Sequence, residues 1–236
     1  MTAFDVSLVV CVRNYEQYVS EAIDSCLNQM ASGLSVEVIG VDDGSNDRTA
    51  EVMKGYSSEV HLLRTEAVGI ERAFNTALTT ARGRYVVRVD ADDALEIDYF
   101  NKIGKFLNGH THIVYGDYSV MSASSEVTHK IQLPDFEAGE VIGRGDFLAT
   151  GTAIRRDVFG QLNMYQTNVK NCGLENYELM CRAILRGLNI QHVRQQLFKY
   201  RIHMEIYCIF WICRFNCFCL YIFCIYSCLT FCSFSF

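Results

Sequence analysis

The feature that most constrains this chain is a repeated alternation of short apolar runs with helical periods over its first 120 residues. Five apolar runs have strand length, and they are 5–12, 36–41, 59–64, 85–89 and 112–120. Four segments between them carry apolar side chains at helical spacing, and they are 15–30, 46–56, 69–82 and 96–108. Continuous apolar runs are typical of strands that are buried on both faces. The pattern predicts an α/β fold, a mostly parallel sheet with helices on both faces.

The pattern changes after residue 120. The chain's only proline, Pro134, opens a stretch rich in Gly and acidic residues, which we expect to be irregular. Further elements are predicted by apolar periodicity: an antiparallel strand at 125–133, a strand and short helix at 151–159, a helix at 176–187, and a strand at 190–201 that closes the sheet. We therefore expect one domain over 1–203, with a nucleotide-binding half (1–120) and a smaller, partly antiparallel acceptor half (121–203).

Charge and cysteine content narrow the class of protein. The 236-residue chain has a net charge of −6 and no basic block, so nucleic acid is not an expected partner. Residues 1–203 hold four scattered cysteines, which predicts neither a disulfide framework nor a zinc site. The N-terminus shows no signal-peptide pattern. These features predict a cytoplasmic domain.

The last segment, 204–236, differs from the rest of the chain. It holds seven of the 11 cysteines, and no charged residue occurs from Phe215 to Phe236. Such a run is long enough to span a bilayer as a helix, which would anchor the protein at the inner face of a membrane. The abrupt bias toward Cys, Phe, Tyr and Ile is equally explained by a disrupted reading frame. Both interpretations remain open at this point.

Polar clusters follow three of the predicted strands. They are Arg13–Asn14, Asp42–Asp43 and Asp90–Asp92–Asp93. In open α/β sheets, ligands bind beyond the carboxyl ends of the strands. Neighbouring carboxylates repel one another unless a cation lies between them, and hard oxygen ligands suit Mg²⁺ or Mn²⁺. The alternative for each acidic cluster is a solvated or capped turn that begins the next helix, with Ser45 or Asn46 as the cap after Asp43.

Two nucleotide-site types are disfavoured by missing motifs. The chain has neither a G-x-G-x-x-G sequence after its first strand nor a G-x-x-x-x-G-K-[ST] sequence, so a bound diphosphate would need a metal instead. An aspartyl phosphatase also uses a D-x-D motif, but that chemistry needs its nucleophilic Asp after the first strand. Here the first strand ends in Cys11, Val12, Arg13 and Asn14.

With these motifs in order, the chain resembles a family-2 glycosyltransferase of the GT-A fold. The resemblance extends over about residues 5–203 and is specific for the family, though not for a sugar. Five segments carry it: SLVVCVRNYEQYVSEAIDSCLNQ, VEVIGVDDGSNDRT, ARGRYVVRVDADD, GLENYELMCRAILRGLNI and LFKYRIH. It implies a metal-dependent, inverting transfer of a sugar from a UDP-linked donor to a hydroxyl of a glycan or lipid-linked acceptor, in surface polysaccharide or glycan synthesis.

On the donor side, the resemblance implies the following roles. Asp43 would bind the uracil, Asp42 would support that loop, and Arg13 would stack against the base. Asp90 would lie at the ribose and the metal-bound water, and Asp92 would ligate the metal, so that Asp90 and Asp92 form the Mg²⁺ or Mn²⁺ site. His203, in the terminal Tyr-Arg-x-His segment, would contact the donor diphosphate.

The acceptor side departs from the family's pattern. Where the family places Glu-Asp, with the Asp as the expected base, this chain has Glu175–Asn176, and an amide does not accept a proton at neutral pH. We predict that Glu175 is the base and that Asn176 orients the acceptor. The alternatives are that Asn176 caps the helix beside a solvated Glu175, or that the chain is a degenerate, non-catalytic domain that binds nucleotide-sugars.

Overall fold

The structure is a computed structural model, and it describes residues 4–144, 148, 150–168 and 175–202. Residues 4–90 follow the predicted alternation. Its elements are β1 (Phe4–Val12), α1 (Val19–Leu27), β2 (Val36–Asp43), α2 (Thr49–Lys54), β3 (Val60–Thr65), α3 (Ile70–Thr80) and β4 (Gly83–Asp90). The four strands are parallel and lie in the order β3-β2-β1-β4. The predicted parallel sheet is therefore confirmed for these four strands.

The elements after β4 extend the same sheet with strands of both directions. Its elements are β5 (Ala94–Leu95), α4 (Tyr99–Ile103), β6 (Ile113–Met121), β7 (Val127–Ile131), α5 (Ala138–Arg144), β8 (Ala153–Arg155), α6 (Arg156–Gln161), α7 (Glu175–Leu185) and β9 (Ile190–Arg201). The order continues β4-β8-β6-β9-β5, and β7 pairs with β6 outside this path. β8, β7 and β5 pair antiparallel with their neighbours, whereas β6 and β9 are parallel. One sheet runs through residues on both sides of position 120, so the sheet marks no boundary there. The predicted division near residue 120 stays a prediction.

Three local predictions were wrong. The stretch after Pro134, expected to be irregular, contains helix α5, whose Val141 is fully buried. The helix predicted at 96–108 is α-helical only over Tyr99–Ile103, and Gly104 then begins a 3₁₀ turn. β9 does not close the sheet, because the two-residue strand β5 pairs on its outer side. In each case the local sequence pattern did not predict the element that forms in the folded protein.

The core lies on the two faces of the sheet. Alternate residues of β1 point to opposite faces: Val6, Leu8 and Val10 belong to one buried cluster, whereas Val9 and Cys11 belong to the other. The first cluster includes residues from α1 and α4, and the second includes residues from α3, α6 and α7. Both faces are therefore covered by helices, as the apolar strands predict.

The final predicted segments lie at the limit of the description. His203 and the segment 204–236 lie outside the described residues, and what is expected of them stays a prediction. Within the described ranges, no helix is both long enough and apolar enough to cross a membrane.

Candidate functional site

The polar clusters meet at one edge of the sheet. In the parallel register, Val12 of β1 pairs with Asp42 of β2, and Cys11 pairs with Asp90 of β4. The segments that follow these three strands are therefore neighbours at the carboxyl edge. The structure brings Arg13, Asp42–Asp43 and Asp90–Asp93 together, although they are up to 80 residues apart in sequence.

Asp43 is a buried carboxylate that is held by the loop beyond β3. One oxygen accepts hydrogen bonds from the Thr65 hydroxyl at 2.6 Å and the Val68 amide at 2.7 Å, and the other accepts from the Gly69 amide at 2.8 Å. Gly69 directly precedes α3, so the carboxylate lies at a helix N-terminus. Burial alone would raise the pKa of Asp43, but these hydrogen bonds and the Arg13 charge lower it below its ordinary value. Asp43 is therefore ionised and fixed in place.

Asp42 holds the turn that follows β2. Its carboxylate accepts a hydrogen bond from the Ser45 amide at 2.9 Å and pairs with the Arg64 guanidinium at 2.7 Å. Gly44 has a φ of 68°, and a Cβ there would lie 2.7 Å from the Ala67 nitrogen, so only glycine fits.

The capped-turn alternative for this loop is not what the structure contains. Helix α2 begins at Thr49, too far along the chain for Ser45 or Asn46 to cap it. The Ser45 hydroxyl instead accepts a hydrogen bond from the Asn14 amide at 3.0 Å. The loop after β2 is thereby tied to the end of β1, where Arg13 is exposed to solvent. The proposed stacking of Arg13 stays a prediction.

The three aspartates at the end of β4 and just beyond it have different environments. Asp90 and Asp92 are partly exposed, whereas Asp93 is buried. Asp93 accepts hydrogen bonds from the Thr150 hydroxyl at 2.7 Å and the Arg201 amide at 2.9 Å. Burial, followed by the charges of Asp92 and Asp90, raises the pKa of Asp93 well above its ordinary value. Asp93 therefore anchors the loop, and Asp90 and Asp92 remain at the open edge.

Arg201 is a structural residue of this loop that the sequence analysis did not single out. Its side chain is fully buried; the guanidinium pairs with Glu21, donates to the Asp92 carbonyl at 2.7 Å and lies over the Tyr18 ring. Sequence reasoning passed over it because an Arg at a strand end is usually solvated. Its position in the Tyr-Arg-x-His segment was the available signal.

Glu175 begins α7 and is buried, not solvated. Its residue exposure is 8%, and one carboxylate oxygen, Oε1, accepts from Nη1 of Arg88 at 2.8 Å. The second oxygen, Oε2, is also buried and has no hydrogen-bond partner among the described residues. A buried acceptor of this kind is rare in folded proteins, and a catalytic role is one of its recognised explanations. The alternative of a merely solvated Glu175 is therefore not what the structure contains.

Asn176 faces the protein interior. Its Oδ1 accepts a hydrogen bond from the Tyr165 hydroxyl at 2.5 Å, and Nη1 of Arg88 lies 3.5 Å from the same oxygen. The side chain lines a cavity of about 20 Å³ between the sheet and α7. Its predicted contact with an acceptor stays a prediction.

Arg88 connects the two sides of the site and was missed in the sequence. The residue lies on β4, two positions before Asp90, and its side chain is 12% exposed. Nε donates to Asp90 at 2.6 Å while Nη1 donates to Glu175, which lies 87 residues further along the chain. The only sequence signal was a charged residue inside an otherwise apolar strand.

The residues present fit a divalent cation that is shared with a substrate. Among the residues that the structure describes, no group of three or more His, Cys, Asp and Glu side chains is arranged to hold a metal alone. Asp90 and Asp92 supply two hard oxygen donors, and Mg²⁺ is usually held by one or two carboxylates with substrate phosphates. Both residues are partly exposed at the carboxyl edge of the sheet, where a substrate phosphate could complete the coordination.

Known structures share this architecture. The Staphylococcus aureus TarS 1–349 structure in complex with UDP-GlcNAc superposes with a TM-score of 0.68 at 19% identity, over 84% of this chain and 59% of that one. The mannosyltransferase PcManGT from Pyrobaculum calidifontis, in complex with GDP-Man and Mn²⁺, gives a TM-score of 0.66 at 18% identity, over 89% of this chain and 61% of that one. The fold is that of the GT-A glycosyltransferases.

The sequence comparisons identify the family. The model of glycosyl transferase family 2 matches residues 7–214. The chain belongs to this family, as the motifs predict.

Named relatives are longer than this chain. Glycosyltransferase GlyA of Streptococcus pneumoniae is 26% identical over 217 residues, which cover 84% of this chain and 30% of that protein. The poly(ribitol-phosphate) β-N-acetylglucosaminyltransferase TarS of Staphylococcus aureus is 31% identical over 108 residues, which cover 44% of this chain and 19% of that protein. The chain thus spans less than a third of the length of these two relatives.

Proposed function

We propose that this chain transfers a sugar from a UDP-linked donor to a hydroxyl of a glycan or lipid-linked acceptor, with inversion, in the synthesis of a surface polysaccharide. The observation that carries the proposal is that Arg88 joins the donor-side Asp90 and the acceptor-side Glu175, and that the second oxygen of Glu175 is buried without a hydrogen-bond partner among the described residues. A relative, TarS, is named for transfer of N-acetylglucosamine to poly(ribitol phosphate), a reaction of the same class.

The donor base would bind between the ends of β1 and β2. Asp43 would accept the imide N–H of uracil, since each of its oxygens can accept more than one hydrogen bond. Asp42 would keep the loop in shape through Ser45 and Arg64. Burial raises the pKa of Asp43, whereas its hydrogen bonds and the Arg13 charge lower it. Arg13 would lie against the base.

Asp90 and Asp92 would hold Mg²⁺ or Mn²⁺ at the donor diphosphate. Such an ion, when bound, stabilises the negative charge that develops on the departing diphosphate. Asp92 is expected to be its principal ligand, because Asp90 already accepts from Arg88 through Oδ1. Asp93 would keep this loop in place without binding the ion. His203 would contact the diphosphate, although it lies outside the described residues.

Glu175 would accept the proton of the acceptor hydroxyl. As that oxygen attacks, its bond to the anomeric carbon forms, the bond from this carbon to the diphosphate oxygen breaks, and UDP leaves. The proton moves to Oε2 of Glu175, the oxygen that Arg88 does not bind. A positioned base of this kind contributes typically 10²–10⁴-fold to the rate.

Nucleotide binding with and without metal tests the donor half of this proposal. The thermal midpoint is measured with UDP, GDP and ADP, each alone and with Mn²⁺. At 100-fold excess over Kd, binding stabilises the native state by about 2.7 kcal/mol. For a domain of this size, that corresponds to a midpoint shift of about 5–10 °C. We expect the full shift only with UDP and Mn²⁺ together.

Two variants make this test specific. Asp92→Asn should abolish the part of the shift that needs Mn²⁺. Asp157→Asn is the matched control, because Asp157 pairs with Arg155 beside the opposite end of β4. A metal response that survives in Asp92→Asn contradicts the metal site. Binding of UDP-sugars without release of UDP, in the presence of acceptor glycans, favours the non-catalytic binding domain instead.

A further inference from the structure

Arg88 is a nearly buried cation that contacts carboxylates on two separate elements. Its Nε donates to Oδ1 of Asp90 at 2.6 Å, and its Nη1 donates to Oε1 of Glu175 at 2.8 Å. Arg88 and Asp90 are on the same strand, whereas Glu175 is the first residue of α7. The guanidinium therefore spans the gap between the end of β4 and the first turn of α7.

The strand fixes the position of Arg88. Its carbonyl accepts from the Gly151 amide at 2.9 Å, and β4 is paired on both sides, with β1 and with β8. Asp90 is held in turn, since its amide donates to the Thr150 hydroxyl at 3.0 Å. The two contacts of Arg88 form a bridge between β4 and α7, and the β4 end of this bridge is held on several sides.

The contact geometry is specific to arginine. A guanidinium is planar, and its N–H donors have fixed directions, so Nε and Nη1 orient two carboxylates relative to each other. A lysine ammonium is a single point charge and cannot hold both in this way. Burial of the cation is offset by its partners, because the charges of Asp90 and Glu175 keep the pKa of Arg88 well above its ordinary value although burial itself lowers it.

The two carboxylate oxygens of Glu175 have different environments. Oε1 is bound to Arg88, and Oε2 is left buried without a hydrogen-bond partner in the described part of the chain. Glu37, at the opposite edge of the sheet, differs in this respect, because both of its carboxylate oxygens accept hydrogen bonds from Ser7 and Arg82. Glu175 is instead held through Oε1 alone, which leaves Oε2 as the oxygen available to a substrate group.

We propose that Arg88 is a positioning residue for the transfer reaction: it fixes the carboxylate of Glu175, through Asp90 and β4, in the orientation from which Oε2 takes the acceptor proton. This proposal rests on the proposed function of Glu175. It adds that the base is aligned by β4, the strand that ends at Asp90, one of the two proposed metal ligands. The donor side and the acceptor side are therefore set relative to each other before either substrate binds.

The test is the charge-conserving substitution Arg88→Lys. We expect kcat for UDP release in the presence of acceptor to fall at least tenfold, with the KM for the donor within twofold of the unchanged protein. In the crystal structure of this variant, the Glu175 carboxylate should leave the position it has in the unchanged protein. Arg82→Lys is the matched control, because Arg82 also pairs with a buried glutamate, Glu37, at the far end of β4; its kcat should be unchanged.

A second variant covers a loss of folding in the first. Arg88→Met combined with Glu175→Gln removes the cation together with the charge it balances, and it should have a higher thermal midpoint than Arg88→Met alone. The double variant should transfer sugar at the same rate as Glu175→Gln alone, since Arg88 acts through Glu175.

The outcomes separate the two proposals. A kcat in Arg88→Lys within threefold of the unchanged protein, an unmoved Glu175 carboxylate, or additive losses in the double variant each overturn the role of Arg88 alone. If Glu175→Gln by itself leaves transfer unchanged, the proposed base is wrong, and the role of Arg88 is overturned with it.

Discussion

The two sides of the candidate site hold their key carboxylates in opposite ways. On the donor side, Asp43 accepts three hydrogen bonds from Thr65, Val68 and Gly69, and both of its oxygens are used. On the acceptor side, Glu175 is bound through one oxygen only, and the other is buried without a partner among the described residues.

This difference matches the roles proposed for the two residues, in which Asp43 binds and Glu175 reacts. A carboxylate that is saturated by its own loop is already in position when a ligand arrives, and a depressed pKa keeps it charged. A buried oxygen without a partner carries a desolvation penalty of about 1–3 kcal/mol, which a donor group from a substrate would remove.

The largest expected effect is on the acceptor side. Glu175→Gln keeps the shape of the side chain but removes the base, so transfer should fall at least about a hundredfold. UDP affinity, measured by calorimetry with Mn²⁺, should not change. Glu178→Gln on the same helix is the control, because Glu178 pairs with Arg182 outside the site. If Glu175→Gln is nearly silent, the two carboxylates do not differ in the way described.

The donor side should respond in binding, not in turnover. Asp43→Ala should weaken UDP binding by about 1.5–3 kcal/mol, the usual contribution of a hydrogen bond to a charged group. ADP, which lacks uracil, is the internal control and should be nearly indifferent. Equal losses for both nucleotides in calorimetry would mean that Asp43 only shapes its loop.

Asn176→Asp should have a smaller effect. An aspartate there would accept from Tyr165 and face Arg88, as the amide oxygen does now at 2.5 Å and 3.5 Å. We expect transfer to stay similar or to rise. Tyr165→Phe removes the same contact and should lower the stability by about 0.5–1.5 kcal/mol without a comparable effect on transfer. If Asn176→Asp switches on an inactive protein, the natural chain is a nucleotide-sugar binder.

The smallest effect is expected from the end of the chain. A protein that ends at His203 should unfold at nearly the same temperature and bind UDP with Mn²⁺ as tightly as the full chain. The physical reason is that β9 and its buried Arg201 complete the described network. A change of stability of less than 1 kcal/mol would keep the midpoint within about 2–4 °C in a thermal melt. A loss of folding would show that residues 204–236 belong to the domain.

The sequence by itself determined the sheet and the donor edge. Parallel strands buried on both faces read as continuous apolar runs, and polar residues after such strands must meet at one edge of the sheet. For this reason the sequence predicts that Arg13, Asp42, Asp43, Asp90 and Asp92 lie at one edge of the sheet. The motifs also predicted the family, which the match over residues 7–214 confirms.

Two elements after β4 were less predictable. Strand β5 has only two residues, and α5 follows a proline and contains two glycines, so neither has a clear period. Both are stabilised by partners distant in sequence: β5 pairs with β9, and Val141 of α5 is buried in the core with residues of α3 and α7.

Only the tertiary structure decided how the acceptor side is built. Arg88 and Glu175 are separated by 87 residues, and Asp93 and Arg201 by 108. A sequence pattern records which face of an element is buried, because periodicity reflects local geometry. It does not record which charge meets which, because that depends on where α7 and β9 pack against the end of β4. The same limit explains why Asp93 read as one of three equivalent carboxylates in sequence and is a buried anchor in the structure.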